Sequence, residues 1–454
     1  MNENLRTYII PEGPTELGFG WDDALRRDPA YRAAEYIVVP EGVTTVCGLA
    51  FRSLDRLQAI RIPRSVLTIR SGAFQGCEKL SRILVDTGNP TFCDVDGVVF
   101  SKDGTRLIRM PEGREEDCYV VPDSVTAVGP CAFAQCKALR KIEIPDSVRD
   151  IGYMAFIGCT ALRSVRLPQG LEVICHDMFQ GCTCLESIHI PASVKVISPG
   201  VFVRCTALKS ITVAPENEAY CVEDGTLFDK GRHFIIKMPP RETGTHYVVP
   251  EGVTNIVTGA FSDSTGLESI HIPASVRWIL SKAFLECNSL KHISVDEANN
   301  RFCSVDGILY DRERKWLIKV PQALPARSFA VPEGVKTIGD RAFMGCAALR
   351  EIHLPDSVRT ISDLAFLDCT SLREADIPES VTFIGSIAFL GCEKLQTIRC
   401  RIDLNRFNDE DWGGLGSESL YADATLCVPA AAMEAYRRHP EFGRFRRIEP
   451  LPHV

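Results

Sequence analysis

Cysteine and histidine are the residue types in this 454-residue chain that could hold a metal ion or act as nucleophiles, and the chain contains 19 cysteines and 9 histidines. Nine of the cysteines recur at one position of a repeated sequence pattern. In two further copies of the pattern this position holds Leu54 and Ser264. Because leucine can replace the cysteine, we interpret this column as part of a hydrophobic core, in which a free thiol behaves as a small apolar side chain. The column lies three residues after a recurrent phenylalanine and contains Cys77, Cys136, Cys159, Cys182, Cys205, Cys287, Cys346, Cys369 and Cys392.

Three histidines also share one position. His189, His271 and His353 each lie two residues before a recurrent proline, but never in neighbouring copies of the repeat. Metal ligands must converge on one ion, so this spacing argues against a metal site. Cys182 and Cys184 lack the spacing of a zinc or redox motif, and the Asp-Gly turns of the chain lack the rest of a calcium loop. We therefore predict no catalytic residue, no metal ion and no cofactor.

The recurrent proline and phenylalanine belong to a 23-residue repeat, in which the phenylalanine follows the proline by eleven residues. A fixed period of this length is typical of a solenoid, whose coils bury apolar surface only against their neighbours. The prolines are Pro40, Pro63, Pro122, Pro145, Pro168, Pro191, Pro250, Pro273, Pro332, Pro355 and Pro378, and the phenylalanines are Phe51, Phe74, Phe133, Phe156, Phe179, Phe202, Phe261, Phe284, Phe343, Phe366 and Phe389.

One copy of the repeat indicates how a coil is built. Ile142 and Ile144 alternate with polar residues and are followed by Pro145, which predicts a short parallel strand that ends at the proline. The apolar residues from there to Phe156 have the spacing of a helical turn, but they are too few for a long helix. Each coil is therefore expected to consist of a strand, a bend and a short turn.

Three steps between prolines are 59 residues long instead of 23, and each contains the same kind of 36-residue insert. The inserts lie at about 87–121, 215–249 and 297–331. Each has an Asp-Gly pair flanked by alternating apolar residues, which is a strong β-hairpin signal. We expect the hairpins to add strands and to interrupt the 23-residue rhythm.

The repeat resembles the BspA-like leucine-rich repeat, over about residues 36–400. The segments that begin at Ile188 and Ala342 follow its pattern almost letter for letter. The resemblance implies an α/β leucine-rich repeat solenoid, a right-handed superhelix dominated by β-structure with short helical turns, in a single elongated domain. It divides the chain into an N-terminal cap (1–35), the repeats with their inserts (36–400) and a C-terminal cap with a short helix (401–454).

The net charge and the N-terminal sequence indicate which classes of partner and which cellular compartment are favoured. A net charge of −8 argues against nucleic acid, and no stretch has the roughly 18 apolar residues that a membrane helix needs. The N-terminus lacks the apolar core of a signal peptide. Together with the free-cysteine column, this favours the cytoplasm. Members of the family are often secreted or surface proteins, so the cell surface is the alternative.

Side chains that vary between copies on the strand face of a repeat protein are the usual recognition positions. The large aromatic residues among them are typical of binding hot spots, although they could also pack against an insert or a flanking loop. Two columns of variable residues form the candidate partner-binding surface: Arg61, Glu143, Arg166, His189, His271, His353 and Asp376 before the proline, and Val173, Val196, Trp278 and Phe383 after it.

The sequence thus predicts a non-enzymatic module that binds a protein partner along an extended face. One alternative is a cell-surface adhesin of the same family that binds host or matrix proteins. An alternative of another class is a thiol- or metal-dependent enzyme, which would need a cysteine or histidine cluster that breaks the repeat pattern. We find no such cluster in the sequence.

Overall fold

A computed structural model describes residues 5–18, 25–240, 244–406 and 414–451. The chain divides into unit 1 (Met1–Gly231 with Ile235–Pro240) and unit 2 (Arg232–Phe234 with Arg241–Val454). Each unit is a β-solenoid, and only about 6% of the residues are helical, which confirms the predicted fold class. The predicted cap boundaries at residues 35 and 400 stay predictions, and parts of both caps, including Trp21, lie outside the described residues.

The strands of unit 1 are β1 (Thr7–Ile9), β2 (Glu16–Leu17), β3 (Tyr36–Val38), β4 (Thr45–Val46), β5 (Ala59–Ile62), β6 (Thr68–Ile69), β7 (Arg82–Val85), β8 (Phe92–Val95), β9 (Val98–Ser101), β10 (Arg106–Arg109), β11 (Cys118–Val120), β12 (Ala127–Val128), β13 (Lys141–Glu143), β14 (Asp150–Ile151), β15 (Ser164–Val165), β16 (Val173–Ile174), β17 (Ser187–Ile190), β18 (Val196–Ile197), β19 (Ser210–Val213), β20 (Tyr220–Glu223) and β21 (Thr226–Asp229). The next strand, β22 (Phe234–Lys237), lies at the division between the units. The helix α1 (Pro29–Arg32) belongs to unit 1.

The strands of unit 2 are β23 (Thr245–Val248), β24 (Asn255–Ile256), β25 (Leu267–Ile272), β26 (Trp278–Ile279), β27 (His292–Val295), β28 (Phe302–Val305), β29 (Ile308–Asp311), β30 (Trp316–Lys319), β31 (Ser328–Ala330), β32 (Thr337–Ile338), β33 (Glu351–His353), β34 (Thr360–Ile361), β35 (Glu374–Ile377), β36 (Phe383–Ile384), β37 (Thr397–Cys400), β38 (Thr425–Val428) and β39 (Arg447–Pro450). Its helices are α2 (Glu418–Asp423) and α3 (Met433–Arg438), with 3₁₀ turns at Ala430–Ala432 and Phe442–Arg444.

Each coil contributes one strand to each of two parallel ladders. The first ladder is formed by the strands that precede the repeat proline, as in the order β11-β13-β15-β17-β19. The second ladder is formed by two-residue strands after the proline, as in β16-β18. In the first ladder Ile142 lies opposite Val165, which lies opposite Ile188, and all three are buried. The register follows from the alternation, since a slip by one residue would expose every isoleucine.

The segment that carries the phenylalanine forms a run of turns, which we call the phenylalanine turn. Phe133 N–H donates to Ala155 O (2.8 Å) and Phe156 N–H donates to Met178 O (3.0 Å), so this segment also bonds from coil to coil. The residues two before and two after Phe156, Met154 and Gly158, have φ of 54° and 70°. Alternation of right- and left-handed backbone cannot continue as a helix, which explains why the helical-turn spacing yields no helix in these coils.

The phenylalanine and cysteine columns form the core between coils. The ring of Phe156 stacks between those of Phe133 and Phe179, with centroids 5.3 and 5.4 Å away. The Sγ of Cys159 is buried and donates to Phe133 O at 3.0 Å. Burial raises the pKa of Cys136 to about 12. All nine cysteines of the column are buried, which confirms that the column belongs to the core. Their free-thiol state stays a prediction.

Each insert forms a hairpin and then rejoins the second ladder. In the first insert β8 pairs with β9 and β9 with β10, both antiparallel, while β10 pairs in parallel with β12 of the next coil. The first ladder is interrupted here, because β7 ends one sheet and β11 begins another. The second and third inserts form the corresponding antiparallel hairpins, β20-β21 and β28-β29.

A buried asparagine begins each insert. In the third insert Asn299 Nδ2 donates to Pro273 O (2.8 Å) and Val276 O (3.0 Å) of the preceding coil. Its Oδ1 accepts from the N–H groups of Arg301 (2.9 Å) and Phe302 (2.8 Å). Asn89 and Asn217 make the equivalent bonds in the other inserts. One amide therefore holds the insert to the coil that it follows.

We expect Asn299→Ala to lower the free energy of unfolding by about 2–3 kcal/mol, because buried backbone donors and acceptors lose their partners. The neighbouring Asn300 is exposed, so Asn300→Ala is the matched control, with an expected change within about 0.5 kcal/mol. Urea denaturation of the two variants and the wild type measures both values. Equal stability of Asn299→Ala and Asn300→Ala would show that the amide does not hold the insert.

The inserts also replace the phenylalanine turn with a shorter connection. Met110 takes the place of the phenylalanine and donates its N–H to Ala132 O (2.7 Å). Side chains replace two of the missing backbone groups. Arg109, which is buried, donates to Cys131 O of the following coil and forms an ion pair with Glu112 (2.7 Å). Glu112 in turn accepts the N–H of Gly76 in the preceding coil (3.1 Å).

In the third insert different side chains bond to the backbone groups of the following coil. Lys319 Nζ lies 3.3 Å from Arg341 O and 3.4 Å from Met344 O of the following coil. Gln322 stands where the first insert has Glu112, and it is also buried. Desolvation lowers the pKa of Lys319. The position therefore requires a donor that reaches the next coil, but it accepts either cation.

Candidate binding face

The outward side chains of β11, β13, β15 and β17 line a groove of about 730 Å³ in unit 1, which we call the unit 1 groove. Because alternate residues of a strand point to opposite faces, β13 and β17 each present two side chains to it. Three of the predicted surface residues, Glu143, Arg166 and His189, lie side by side here on successive strands. The structure thus brings together this part of the first predicted column.

The charged side chains of the groove include both signs of charge. Lys141 pairs with Glu143 at 2.7 Å, and the hydrogen bond to Glu143 raises the pKa of the lysine. Arg166 pairs with Asp146 of the preceding coil at 2.8 Å, and this bond lowers the pKa of Asp146. His189 Nδ1 lies 2.9 Å from Thr212 Oγ1 on β19. Each charged group therefore has a local partner and stays exposed to solvent.

A second outward column of this groove was missed in the sequence. It lies two residues before the predicted column, and Lys141, Ser164, Ser187 and Ser210 occupy it in consecutive coils, as Cα partners across the ladder. The alternation predicts this second column, because residues two apart in a strand lie on the same face. The residue before the first isoleucine therefore shares a face with the residue that follows that isoleucine. Ser164 and Ser187 give the groove two hydroxyl groups in register, and Ser210 continues the row on β19.

Arg61 lies on β5, in a separate sheet of unit 1, and takes part in a charge cluster. Its guanidinium pairs with Asp86 at 3.2 Å, and Arg64 pairs with the same carboxylate at 2.8 Å. The N–H of Gly88 and the guanidinium groups of Arg64 and Arg61 hold the pKa of Asp86 at about 2. Arg61 is therefore half-exposed and held in place by its partner.

We expect the melting temperature of the protein to fall as the pH is lowered from about 4 toward 2, in part because of Asp86. Its pKa is depressed in the folded state, so its stabilisation is complete above the unfolded pKa, near 4, and is lost as the pH falls toward the folded value. Asp86→Asn should melt lower than the wild type at pH 5, and the difference should vanish near pH 2. A difference that persisted at pH 2 would contradict this assignment. Thermal unfolding followed by circular dichroism measures both.

Val173 and Val196 lie on the second ladder, away from the strands of the unit 1 groove. They are Cα partners on β16 and β18, and both side chains are about half exposed. They form a small apolar pair between neighbouring coils. The two predicted columns are therefore on different sheets, so a partner would have to contact more than one face to reach both.

In unit 2 the predicted histidines lie on the first ladder with close polar partners. His271 Nδ1 lies 3.0 Å from Ser294 Oγ, and His353 lies 3.9 Å from Glu351. His353 is the Cα partner of Asp376, which pairs with Arg401 at 2.8 Å. The structure thus brings His353 and Asp376 together. His246 on β23 and His292 on β27 also face outward beside β25, and the sequence analysis missed them.

The two predicted aromatic residues of unit 2 lie on the second ladder. Trp278 on β26 is 55% exposed, and the guanidinium of Arg301, in the third insert, lies 5.0 Å from the ring centroid. Phe383 on β36 is half-buried and is the Cα partner of Thr360. Trp278 is therefore covered on one side by an insert residue but keeps most of its ring accessible.

Within the described ranges, no three His, Cys, Asp or Glu side chains are placed to hold a metal ion. None of the described helices is long and apolar enough to span a membrane.

The family model for the BspA type leucine-rich repeat region matches six copies, over residues 30–101, 118–221, 243–304 and 322–414. These segments cover well over half of the chain, and they coincide with the coils described above. The chain belongs to the BspA-type leucine-rich repeat family. Each 23-residue coil of this BspA-type protein corresponds to one repeat of the family. The resemblance predicted from the sequence is confirmed.

This BspA-type chain is similar to several solved structures of bacterial proteins. A leucine-rich cell surface protein of Faecalibacterium prausnitzii A2-165 is 24% identical, with 82% of this chain and 89% of that chain covered and a TM-score of 0.40. A leucine-rich repeat protein of Eubacterium ventriosum ATCC 27560 is 21% identical, with 81% and 86% covered and a TM-score of 0.40. The pneumococcal vaccine antigen PcpA is 19% identical, with 80% and 99% covered and a TM-score of 0.38. No curated protein sequence matches the chain significantly.

Proposed function

We propose that this BspA-type protein is a non-enzymatic binding module and that it holds a protein partner in the unit 1 groove. The observation that carries the proposal is the convergence of Lys141, Glu143, Arg166 and His189 with a row of serine hydroxyls on consecutive strands. Side chains on such a face are free to vary without loss of the core, because the buried isoleucines between them hold the coils together.

The chemistry of the groove fits a protein segment better than a small molecule. It extends over four strands, which at about 4.8 Å per strand is long enough for a stretch of several residues. Small-molecule sites place a small number of polar groups, whereas this groove carries cations, anions and hydroxyl groups on successive strands. Exposed charges of both signs contribute more to the choice of partner than to the affinity. We infer a partner segment that is polar and carries both acidic and basic residues.

Site-specific photo-crosslinking tests the groove directly. A photo-reactive amino acid at Ser187, inside the groove, should crosslink a protein partner in producing cells, and the linked peptide can be identified by mass spectrometry. The matched control is the same probe at Tyr153, which is exposed on the phenylalanine-turn side of unit 1. Arg166→Glu should reduce the yield at Ser187 severalfold, because it reverses a charge inside the groove. Equal crosslinking from Ser187 and Tyr153 would refute the assignment of this face.

A second contact surface is proposed in unit 2, at Trp278. Large aromatic side chains that keep an accessible ring are frequent anchors at interfaces. The stacked Arg301 holds this ring in place, so less entropy is lost when a partner covers it. Trp278→Ala should weaken binding of the crosslinked partner at least tenfold, and Leu280→Ala, a neighbouring exposed apolar residue, should not. The same affinity from Trp278→Ala and wild type would restrict binding to unit 1.

We propose the cytoplasm as the compartment, because a column of buried free thiols fits a reducing environment. The adhesin alternative predicts the cell surface and a host or matrix partner. Protease shaving of intact producing cells separates the two. Full protection of the protein supports the cytoplasm, and its loss from intact cells supports the adhesin.

A further inference from the structure

The shortened connection of the first insert leaves a cavity of about 240 Å³ in unit 1, between the phenylalanine turns of the coils before and after it. We call it the insert gap. Its lining includes Gly72 and Phe74 from the preceding coil, Arg106 and Arg109 from β10, and Cys131 from the following coil. It lies on the phenylalanine-turn side of the solenoid and shares no residue with the unit 1 groove.

Two backbone donors open onto this gap. In most regular coils the N–H groups at the phenylalanine and two residues before it donate to the following coil, as Cys131 N–H does to Tyr153 O (3.1 Å) and Phe133 N–H to Ala155 O (2.8 Å). The equivalent groups before the insert belong to Gly72 and Phe74. Neither has a hydrogen-bond partner among the described residues. Gly72 has a φ of 78°, in the left-handed region, whereas neither Ser71 nor Ala73 has a positive φ, and such a change of hand is one element of an anion-binding nest.

A third unpaired donor comes from a buried side chain. Arg109 uses its terminal nitrogens for Cys131 O and Glu112, but its buried Nε has no partner in the described part of the chain. Buried polar groups without partners are rare in folded proteins and mark places where a ligand or water completes the bonding. Donors from the backbone and from Arg109 thus converge on one cavity.

The charge of the lining is positive. Arg70 and Arg106 stand beside Arg109, and no carboxylate lines the cavity. Glu112 offsets Arg109, with which it pairs at 2.7 Å, and the exposed Asp150 lies 4.0 Å from Arg106. Arg70 therefore contributes an exposed positive charge, and Arg106 a second one that is only partly compensated. Guanidinium groups with nearby backbone N–H groups are the usual recognition elements for oxyanions.

The equivalent gap at the third insert, in unit 2, shows that the repeat does not by itself produce the large cavity or its arginines. It measures only about 110 Å³, and Leu280 and Trp316 occupy the positions of Arg70 and Arg106. The N–H groups of Lys282 and Phe284 also lack partners among the described residues. The first and third inserts therefore both leave backbone donors, but of these two only the first has two arginines and the larger space.

We propose that the insert gap of unit 1 binds a phosphate group, either as inorganic phosphate or as the end of a phosphate monoester. A volume below the range of drug-sized pockets fits a single small anion or the terminal group of a larger ligand. The Gly72 and Phe74 N–H groups and Arg109 Nε–H bind its oxygens at the bottom of the gap, and Arg70 and Arg106 bind it at the opening.

Calorimetric titration of the full chain with inorganic phosphate and with phenyl phosphate, against chloride at equal ionic strength, tests the proposal. We expect saturable binding that is weakened about tenfold or more in Arg70→Leu/Arg106→Trp, the side chains of the unit 2 gap. Arg163→Gln removes an exposed charge of the first ladder and should leave the affinity unchanged. Binding of both ligands indicates an open site for monoesters, and binding of phosphate alone indicates a closed one. The proposal fails if neither binds saturably or if Arg163→Gln weakens binding equally.

Crystals soaked with tungstate, a heavy analogue of phosphate, locate the site independently of any variant. The proposal expects a density peak within hydrogen-bond distance of the Gly72 and Phe74 N–H groups. A peak only elsewhere on the chain, or none, would overturn it.

Discussion

Phe156→Ala is expected to destabilise unit 1 by about 3–5 kcal/mol. The ring is fully buried and stacks on Phe133 and Phe179, so the substitution removes two ring contacts and leaves a cavity between coils. In a solenoid each coil is stabilised chiefly by its neighbours, and the loss should therefore spread to the coils on both sides. Urea denaturation measures the size of the loss, and hydrogen exchange with mass spectrometry shows its position.

The control for Phe156→Ala is Val173→Ala, in the next coil. This side chain is about half exposed on the second ladder, so its truncation should change the stability by about 0.5 kcal/mol or less. Amide protection should fall in the coils of Phe133, Phe156 and Phe179 in the first variant only. A loss below about 1 kcal/mol, or one confined to the mutated turn, would mean that the stacked column does not couple the coils.

Arg109→Met is expected to cost a similar amount, about 3–5 kcal/mol, for an electrostatic reason. It leaves the Glu112 carboxylate, whose side chain is only 2% exposed, without its ion-pair partner, and it leaves Cys131 O without its donor. Arg163→Met, which removes an exposed ion pair with Glu186, is the control and should cost less than about 1 kcal/mol. Equal losses from the two variants would contradict the proposed role of Arg109.

The pH dependence of Arg109→Met distinguishes a buried carboxylate from a simple packing defect. Burial already raises the pKa of Glu112 in the wild type, and loss of the guanidinium should raise it further. A carboxyl group with a raised folded pKa binds its proton more tightly in the folded state, so its cost is largest above that pKa and shrinks as the pH falls through it. The stability deficit should therefore be smaller at pH 5 than at pH 8. A deficit independent of pH would indicate packing alone.

The side chains of the third insert suggest a double variant that also tests whether the buried Glu112 carboxylate causes the loss of stability. Arg109→Lys with Glu112→Gln recreates the Lys319 and Gln322 combination in the first insert. No carboxylate is left buried there, and the lysine can still donate to the next coil. We expect this variant to be more stable than Arg109→Met, as measured by urea denaturation. The reverse order would show that the two inserts are not equivalent.

The coil could be predicted because its determinants are local and repeated. The Ile142-Ile144 alternation fixes a strand, Pro145 ends it, and Phe156 recurs at a distance that brings it next to Phe133 in the neighbouring coil. The left-handed backbone at Met154 could not be predicted, since methionine has no preference for that conformation. It is imposed by the hydrogen bonds to the next coil, which become visible only when the coils are stacked.

The candidate site was predictable only column by column. The sequence placed Glu143, Arg166 and His189 on one face, and the structure adds that Ser164 and Ser187 share it. The sequence did not indicate that the second ladder, which contains Val173, forms a separate surface. The insert gap was beyond prediction for a different reason. Gly72 and Cys131, which both line the gap, are far apart in the sequence, and they lie near each other only because the insert shortens a turn.

The shortened turn also bears on how such a chain changes length during evolution. A plain coil donates to the next coil the same backbone bonds that it accepts from the previous one, as the Phe133 and Phe156 N–H groups show. Duplication or loss of one such coil therefore rejoins matching surfaces and needs no second mutation. An insert is different, because its neighbours depend on Arg109, Glu112 and Asn89 to replace backbone groups. Plain coils can be gained or lost singly, whereas an insert is inherited only together with the side chains that close its ends.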